Sequence, residues 1–430
     1  MTDQLVVILD DAIAGTLTRR PQGRLRFDYD DDYRGLSDAT PLSLSMPTQI
    51  TSHPDKIVTP WLWGLLPDNE AVLTRWSRQF HVSASSPFAL LGSPIGEDCA
   101  GAVQFAPPHE VDRITNQPGH VAWLAEIEVA DRLRDLREDS TSWLGRSFTG
   151  QFSLAGAQAK TALLRQDGRW GVPSGSIPTT HILKPAVSGL DDHDLNEHLC
   201  LDAARRAGLL AVHTTIERFD GESAVIVDRY DRVERRERIT RVHQEDLCQA
   251  LGVPPDRKYQ NEGGPSPRDI VRLLRRAMPP RLADDAVWQF ADALIWNWLI
   301  AGTDAHAKNY SILLAHGQVR FAPIYDVASS LPYGAHERKL RLAMKIGGDY
   351  RVHPDRNNWP TAAKDLGVDP DSLVERVRTI GSIIAGSFSE AANAPSVRAL
   401  ERPLPAMLVD LVADRAVRCM RAVGADPKVT

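Results

Sequence analysis

Thr303-Asp304-Ala305-His306-Ala307-Lys308-Asn309 decides how the rest of the 430-residue chain is read. The run before it, Asp284 to Thr303, carries Trp288, Phe290, Leu294, Trp296, Trp298 and Leu299 and predicts a long helix whose aromatic series is core. The run after it predicts a strand at Tyr310–Leu314, a His316-Gly317 turn and a return strand at Val319–Ile324, ending at Tyr325-Asp326. A helix end, a hairpin and a second acidic residue therefore bring Asp304, Asn309 and Asp326 to one neighbourhood.

Such a set suits phosphoryl transfer. One carboxylate must accept or orient a hydroxyl proton, while a neutral oxygen ligand and a second carboxylate hold magnesium on the phosphates. The protein-kinase catalytic loop has the same D-x-x-x-x-N spacing and places its metal aspartate after a hairpin. Upstream, Lys184 ends the apolar strand His181-Ile-Leu-Lys-Pro and Glu197 follows in the next helix, the order of a phosphate-clamping lysine and the glutamate that orients it. The loop Ser153-Leu-Ala-Gly-Ala-Gln-Ala-Lys160 has small residues that let backbone N–H groups approach phosphate oxygens. It lacks the second glycine of a Walker A motif and has no G-x-G-x-x-G. Read one at a time, these residues have plainer accounts. Asp304 is equally a helix or turn cap, and Asp326 a turn residue accepting from backbone amides. Lys308 alone is a solvated charge, His306 a hydrogen-bonded structural histidine and Glu197 a helix-entry residue.

Working outward, the first hundred residues are strand-rich, with strands at Leu5–Leu9 and Leu25–Tyr29 and breaks at Pro47, Pro54 and Pro60. A helix is expected from near Asp68, a linker from Pro107-Pro108 to Gly119, and a helix over Val121 to Leu136. From Gln151 to Tyr230 the texture is α/β, with strands at Thr161–Arg165, Trp170–Pro173, Thr180–Lys184 and Ala224–Tyr230 and a helix at Asn196–Ala207 closed by Gly208. Beyond about residue 243 the chain reads as mainly helical, with further helices near 370–386 and 403–422.

Composition narrows the class. Hydrophobic residues make up 43% and charged residues 25%, ordinary globular values. Cys99, Cys200, Cys248 and Cys419 form no C-x-x-C pair, which argues against a disulfide framework or thiolate zinc site and fits a reducing cytosol. The N-terminal apolar run, Leu5 to Leu9, is too short for a signal peptide, and Ala291 to Ala301 is too short and polar to span a membrane. A cytoplasmic protein is expected. A net charge of −6 gives no strong field for nucleic acid, and the basic helix with Arg415, Arg418 and Arg421 reads as a solvated face or a DNA contact.

Together these segments resemble the HipA family of serine/threonine kinases. The resemblance rests on Phe152-Ser-Leu-Ala-Gly-Ala-Gln-Ala-Lys-Thr-Ala-Leu-Leu164, Thr180-His-Ile-Leu-Lys184, Asn196-Glu197, Asp228-Arg-Tyr-Asp231, Gln244-Glu-Asp-Leu-Cys-Gln249 and Gly263-Gly-Pro265. It closes with Gly302 to Asn309 and Pro323-Ile-Tyr-Asp326. It implies an α+β, protein-kinase-like two-lobed fold with a small β-rich N-terminal domain and a mainly helical C-terminal lobe. The divisions expected are a β-rich subdomain at 1–107, a linker and helix at 108–145, an ATP-binding α/β lobe at 146–235 and a catalytic lobe at 236–430. It further implies ATP and Mg²⁺ as cofactors, Asp304 as catalytic base, and Asn309 with Asp326 on the metal. ATP would meet Ala155, Gly156, Ala157, Gln158, Ala159, Lys160, Lys184, Asp228, Arg229, Tyr230, His306, Ala307, Lys308, Asn309, Tyr325 and Asp326. Ser153 would be autophosphorylated, and the added charge should eject its loop and switch the kinase off. Implied partners are a HipB-like helix-turn-helix antitoxin, operator DNA through that complex, and a protein substrate such as glutamyl-tRNA synthetase or another translation component. The alternatives are a kinase-like co-repressor scaffold and a small-molecule kinase. The chain departs from the pattern at Ala159, where the family loop is commonly acidic, and after Asp326, where Val327-Ala328 replaces a D-F-G continuation.

Overall fold

A computed structural model describes residues 3–145, 152–187, 189–235, 238–334, 336–356 and 358–424. The expected boundary at 146 and the opening residue Gln151 lie outside these. The chain divides into two compact units, Met1–Pro185 with Arg218–Asp256 and Ile312–Val319, and Ala186–Glu217 with Arg257–Ser311 and Arg320–Thr430.

The first unit opens with five antiparallel strands in the order Ser52–Pro54, Leu25–Tyr29, Ala12–Arg19, Gln4–Leu9 and Val103–Ala106. The Gln4–Leu9 hairpin turns through Asp10 and Asp11, both at positive φ (53° and 62°), the conformation a tight hairpin turn demands. Behind the sheet, Trp61, Trp76, Phe27 and Phe105 are fully buried with residues of the helices Asp55–Gly64, Glu70–Gln79 and Pro87–Leu91. Phe152, Leu154 and Trp143 belong to this same core. The small-residue loop is thereby rooted in the N-terminal subdomain.

A second antiparallel array runs Glu222–Asp228, His181–Pro185, Thr161–Gln166, Arg169–Ser174 and His120–Leu124. The helix Glu126–Glu138 buries Val129, Ala130 and Leu133 against Leu163, Leu183 and Ile226. The sequence predicts helix from Val121, whereas residues 120–124 form the edge strand. A strand start at Val121-Ala122-Trp123 gains the ladder with Arg169–Ser174, and the helix begins only where Glu128 accepts from the Ala125 N–H at 2.7 Å. The expected linker also carries structure: Pro108–Glu110 and Val111–Thr115 are helical, and Ile114 is buried with Ile8 and Ala106.

The second unit is built around the helix Pro280–Leu299, started by Pro280 at the first helical position. Its neighbours are Pro267–Ala277, Pro370–Ala392 and Leu404–Ala422, and the helix His193–Arg206 packs on the last two. Trp296 stacks on Phe388 and Trp298 meets Trp359 edge-on, so the aromatic series is core. The helix ends at Leu299, four residues short of the expected end, because Ala301 turns to φ 54°. Arg415 corrects the reading of the basic helix. It is fully buried and donates to the carbonyls of Trp298, Leu299 and Val352, serving neither solvent nor DNA. Those carbonyls at the helix end need donors, and a guanidinium supplies several at once.

Candidate active site

Past Leu299 the chain leaves the helix sharply. A Cβ at Gly302 would lie 2.4 Å from Asn297 Oδ1, so only glycine fits. Asp304 then projects outward, its side chain 68% exposed, and Oδ1 accepts from the Tyr259 hydroxyl at 2.5 Å. His306 Nε2 stands 4.0 Å from the same oxygen, and the Tyr259 ring meets the imidazole edge-on at 4.9 Å.

The loop closes on itself. The His306 N–H donates to the Asp304 carbonyl (2.8 Å), the Asn309 N–H to the His306 carbonyl (2.9 Å), and Asn309 Nδ2 to the Asp304 carbonyl (2.8 Å). That last bond pins the nitrogen end of the amide and turns Oδ1 into the end that can serve a cation. Lys308 is 5% exposed, so it is not the surface charge its sequence position alone suggests.

The strands Ser311–Ala315 and Gln318–Phe321 return the chain through His316 and Gly317, at φ 49° and 69°. Tyr325 donates its hydroxyl to the Lys308 carbonyl at 2.7 Å and lies 2.7 Å from Ser311 Oγ. Tyr325 precedes Asp326, and Lys308 precedes Asn309, so this bond ties together the two chain segments that carry the candidate metal residues. Asp326 has φ 57°, a left-handed conformation kept only where the surroundings hold it. The oxygen donors of Asn309 and Asp326 fit a hard cation such as Mg²⁺.

The remaining candidates lie in the first unit. Lys184 sits in the strand His181–Pro185 opposite Val225, 5% exposed. Side chains alternate along a strand, so Lys184 and Ile182 share the face opposite Leu183, which points at the helix Glu126–Glu138. In the small-residue loop Ser153 is fully buried, its hydroxyl donating to the Leu65 carbonyl at 2.8 Å and its N–H to the Asp98 carbonyl at 2.9 Å. Gly156, at φ 99°, bridges to Pro67. Lys160 turns back on its own loop, donating to the Ala155 carbonyl at 2.6 Å and lying 4.9 Å over the Trp143 ring. Ala157 is exposed, and Ala159 packs on the N-terminal core. Gln158 Nε2 is buried with no hydrogen-bond partner among the described residues, a donor suited to an anion at this loop.

Asp228 faces His181 at 3.3 Å, and the Tyr230 hydroxyl donates to Gln244. The Arg229 guanidinium is committed elsewhere: it is buried against Asp98 (3.2 Å) and Asp231 (2.9 Å), while its N–H donates to the Thr180 carbonyl at 2.9 Å and its carbonyl accepts from the Arg232 N–H at 3.1 Å. Arg232 and Arg241 join the cluster at Asp98, at 2.9 and 3.3 Å. Burial pushes the Asp98 carboxyl up, but the three guanidinium groups and the Thr179 hydroxyl outweigh it and hold it well below the carboxylate range. Sequence reasoning missed Tyr259 and this cluster. Tyr259 stands in a polar stretch with no motif, 45 residues before the carboxylate it touches.

With this geometry in view, the comparisons are decisive for the family. The profile of the HipA-like C-terminal domain matches residues 152–387, and that of the HipA N-terminal domain matches residues 5–106. A Sinorhizobium fredii protein described as a candidate kinase, Y4mE, is 34% identical over 86% of this chain and 87% of its own length. The Shewanella oneidensis serine/threonine-protein kinase toxin HipA is 28% identical over 71% of this chain and 70% of its own. The solved structure of Shewanella oneidensis HipA with HipB and its operator DNA superposes with a TM-score of 0.81 over 98% of each chain, at 24% identity, which bears out the two-lobed α+β fold. Among the described residues no helix is long and apolar enough to cross a membrane. The chain belongs to the HipA family of protein kinases.

Proposed function

We propose that this kinase transfers phosphate from Mg-ATP to serine or threonine and acts as the toxin of a HipBA-type pair in the cytoplasm. The observation that carries the reading is the laced loop in which Asn309 Nδ2 grips the Asp304 carbonyl and Tyr325 grips the Lys308 carbonyl. It supports roles for an exposed Asp304 as the group that takes the acceptor proton and for Asn309 and Asp326 as metal ligands. Mg²⁺, when bound, would neutralise phosphate charge. Lys184 would take phosphate oxygens, and the loop Ala155–Lys160 would cover them with backbone N–H groups and Gln158 Nε2. His306, Ala307, Lys308, Tyr325 and the main chain of Asp228–Tyr230 would contact the nucleotide.

Ser153 is the proposed autophosphorylation site. Its hydroxyl is buried and hydrogen-bonded, so a phosphate of nearly two charges has no room in that seat. Phosphorylation would therefore keep the loop out and stop the kinase. The relative named HipA is a toxin, and its structure holds HipB and operator DNA. An analogous helix-turn-helix antitoxin is the proposed partner here, with operator DNA reached through it and a translation component such as glutamyl-tRNA synthetase as substrate.

The test is transfer of γ-phosphate by purified wild type and Asp304→Asn. Label on Ser153 and on an added protein acceptor is expected in the wild type, with a loss of about 10²–10⁴-fold in the variant. Equal labelling in both refutes the assignment. A binding scaffold without chemistry would label neither.

A further inference from the structure

The segment that follows Asp326 is tied to two other elements of its unit by one asparagine and two serines. Asn196, in the helix His193–Arg206, is fully buried, and its amide lies along the main chain of Ser329. Oδ1 accepts from the Ser329 N–H at 3.0 Å while Nδ2 donates to the Ser329 carbonyl at 2.8 Å. A neighbouring strand would make the same pair of bonds. Cys200 Sγ donates to Oδ1 at 3.3 Å and Nδ2 reaches the Tyr333 hydroxyl at 3.1 Å, so both ends of the amide are fixed.

Ser329 passes the constraint on. Its hydroxyl donates to the Ile300 carbonyl at 2.6 Å, where the helix Pro280–Leu299 is capped. The Ser330 N–H donates to the Ala301 carbonyl at 3.2 Å, and its hydroxyl meets Thr303 Oγ1 at 2.9 Å. The chain just beyond Asp326 is thus stitched to residues 300, 301 and 303, immediately before Asp304. Asp326 and Ala301 both hold left-handed backbone (φ 57° and 54°), which persists only where neighbours over-determine it.

Building on the active site proposed above, we infer that Asn196 is a positioning residue for the metal. By pairing with the Ser329 main chain it sets Asp326 against Asn309, and the two carboxamide ends of that link act as a gauge of their separation. Groups that orient a metal ligand without touching the metal commonly matter tenfold or more to affinity.

Asn196→Asp keeps the size and the acceptor but places an oxygen against the Ser329 carbonyl. The full chain is titrated with Mn²⁺ in the presence of ADP, free Mn²⁺ being followed by electron paramagnetic resonance, and Mg²⁺ for half-maximal transfer is measured alongside. Asn196→Asp should weaken Mn²⁺ binding roughly tenfold, and Ser329→Ala, which keeps the main-chain pair, about threefold, with KM for ATP at saturating metal unchanged. Asp326→Asn should lose the Mn²⁺ site. Wild-type Mn²⁺ affinity in a folded Asn196→Asp overturns the inference, and if that variant does not fold, wild-type affinity in Ser329→Ala overturns it instead. Should Asp326→Asn bind Mn²⁺ as tightly as wild type, the active-site reading fails and the clamp falls with it.

Discussion

Tyr259 touches the carboxylate on which phosphotransfer would turn. Its hydroxyl donates to Asp304 Oδ1 at 2.5 Å while its ring packs edge-on against His306, so one side chain steers two candidate groups. A hydrogen bond to a charged group is worth about 1.5–3 kcal/mol, and here its use is to hold one rotamer of an exposed aspartate. Tyr259→Phe keeps the ring contact and deletes the bond. The expected result is a fall in kcat of roughly tenfold with KM for ATP within twofold, measured on peptide phosphorylation. A fall in ATP affinity instead would place Tyr259 in nucleotide binding. Such residues explain the limits of the sequence. Asp304, Asn309 and Asp326 stand out as candidates because D-x-x-x-x-N before a hairpin constrains spacing along the chain. Tyr259 and Asn196 reach their partners across long separations: no motif marks Tyr259, and the Asn196-Glu197 segment, although part of the resemblance, carries no local sign of the contact with Ser329.

At the scale of elements, the hairpin, the lysine strand and the long helix were legible because each carries its own period or turn signal. Residues 120–124 were not, because an apolar spacing of Leu124, Ile127 and Leu133 serves a strand running into a helix as well as one continuous helix. In the C-terminal helix, found where it was expected, Arg415 was misread for a different reason. Arg415 lies among Arg418 and Arg421, and position in a basic run cannot reveal that its guanidinium serves the end of another helix. It caps the Trp298 and Leu299 carbonyls, and it also pairs with Glu337, as Arg418 does at 2.6 Å. Arg415→Met fills the space and removes the guanidinium donors from the Leu299 and Val352 carbonyls, while the Trp298 carbonyl keeps the Ala301 N–H. Removing one partner from such a buried set costs about 3–5 kcal/mol. Urea unfolding should show that loss in Arg415→Met and less than about 1 kcal/mol in Arg418→Met, whose side chain is half exposed. Equal losses in both would make the Glu337 pair, and not the carbonyl cap, the source of stability.

For the whole molecule, buried ionisable groups predict how stability follows pH. Burial lowers His198 and His243 to about 4, from 6.5. Between those values the unfolded chain binds protons that the folded chain refuses, so stability rises with pH. Asp98 and Asp231, held low against burial by their arginines, contribute stability that is lost only in stronger acid. Glu245 works the other way. Burial raises it to about 8 from 4.5, although Oε1 accepts from the Leu44 N–H at 2.8 Å. From pH 4.5 to 8 the folded chain keeps a proton that the unfolded chain has released, so this group removes stability as pH rises, at most about 1.4 kcal/mol per pH unit. These two histidines, with His53 lowered by burial in the same direction, outweigh the glutamate up to about pH 6.5, and above that the glutamate dominates. The urea midpoint of the wild type should therefore peak near pH 6.5 and decline toward pH 8, and Glu245→Gln should abolish the decline while leaving the acid side in place. A wild-type midpoint that holds level from pH 6.5 to 8 would mean that Glu245 is ionised in the folded protein.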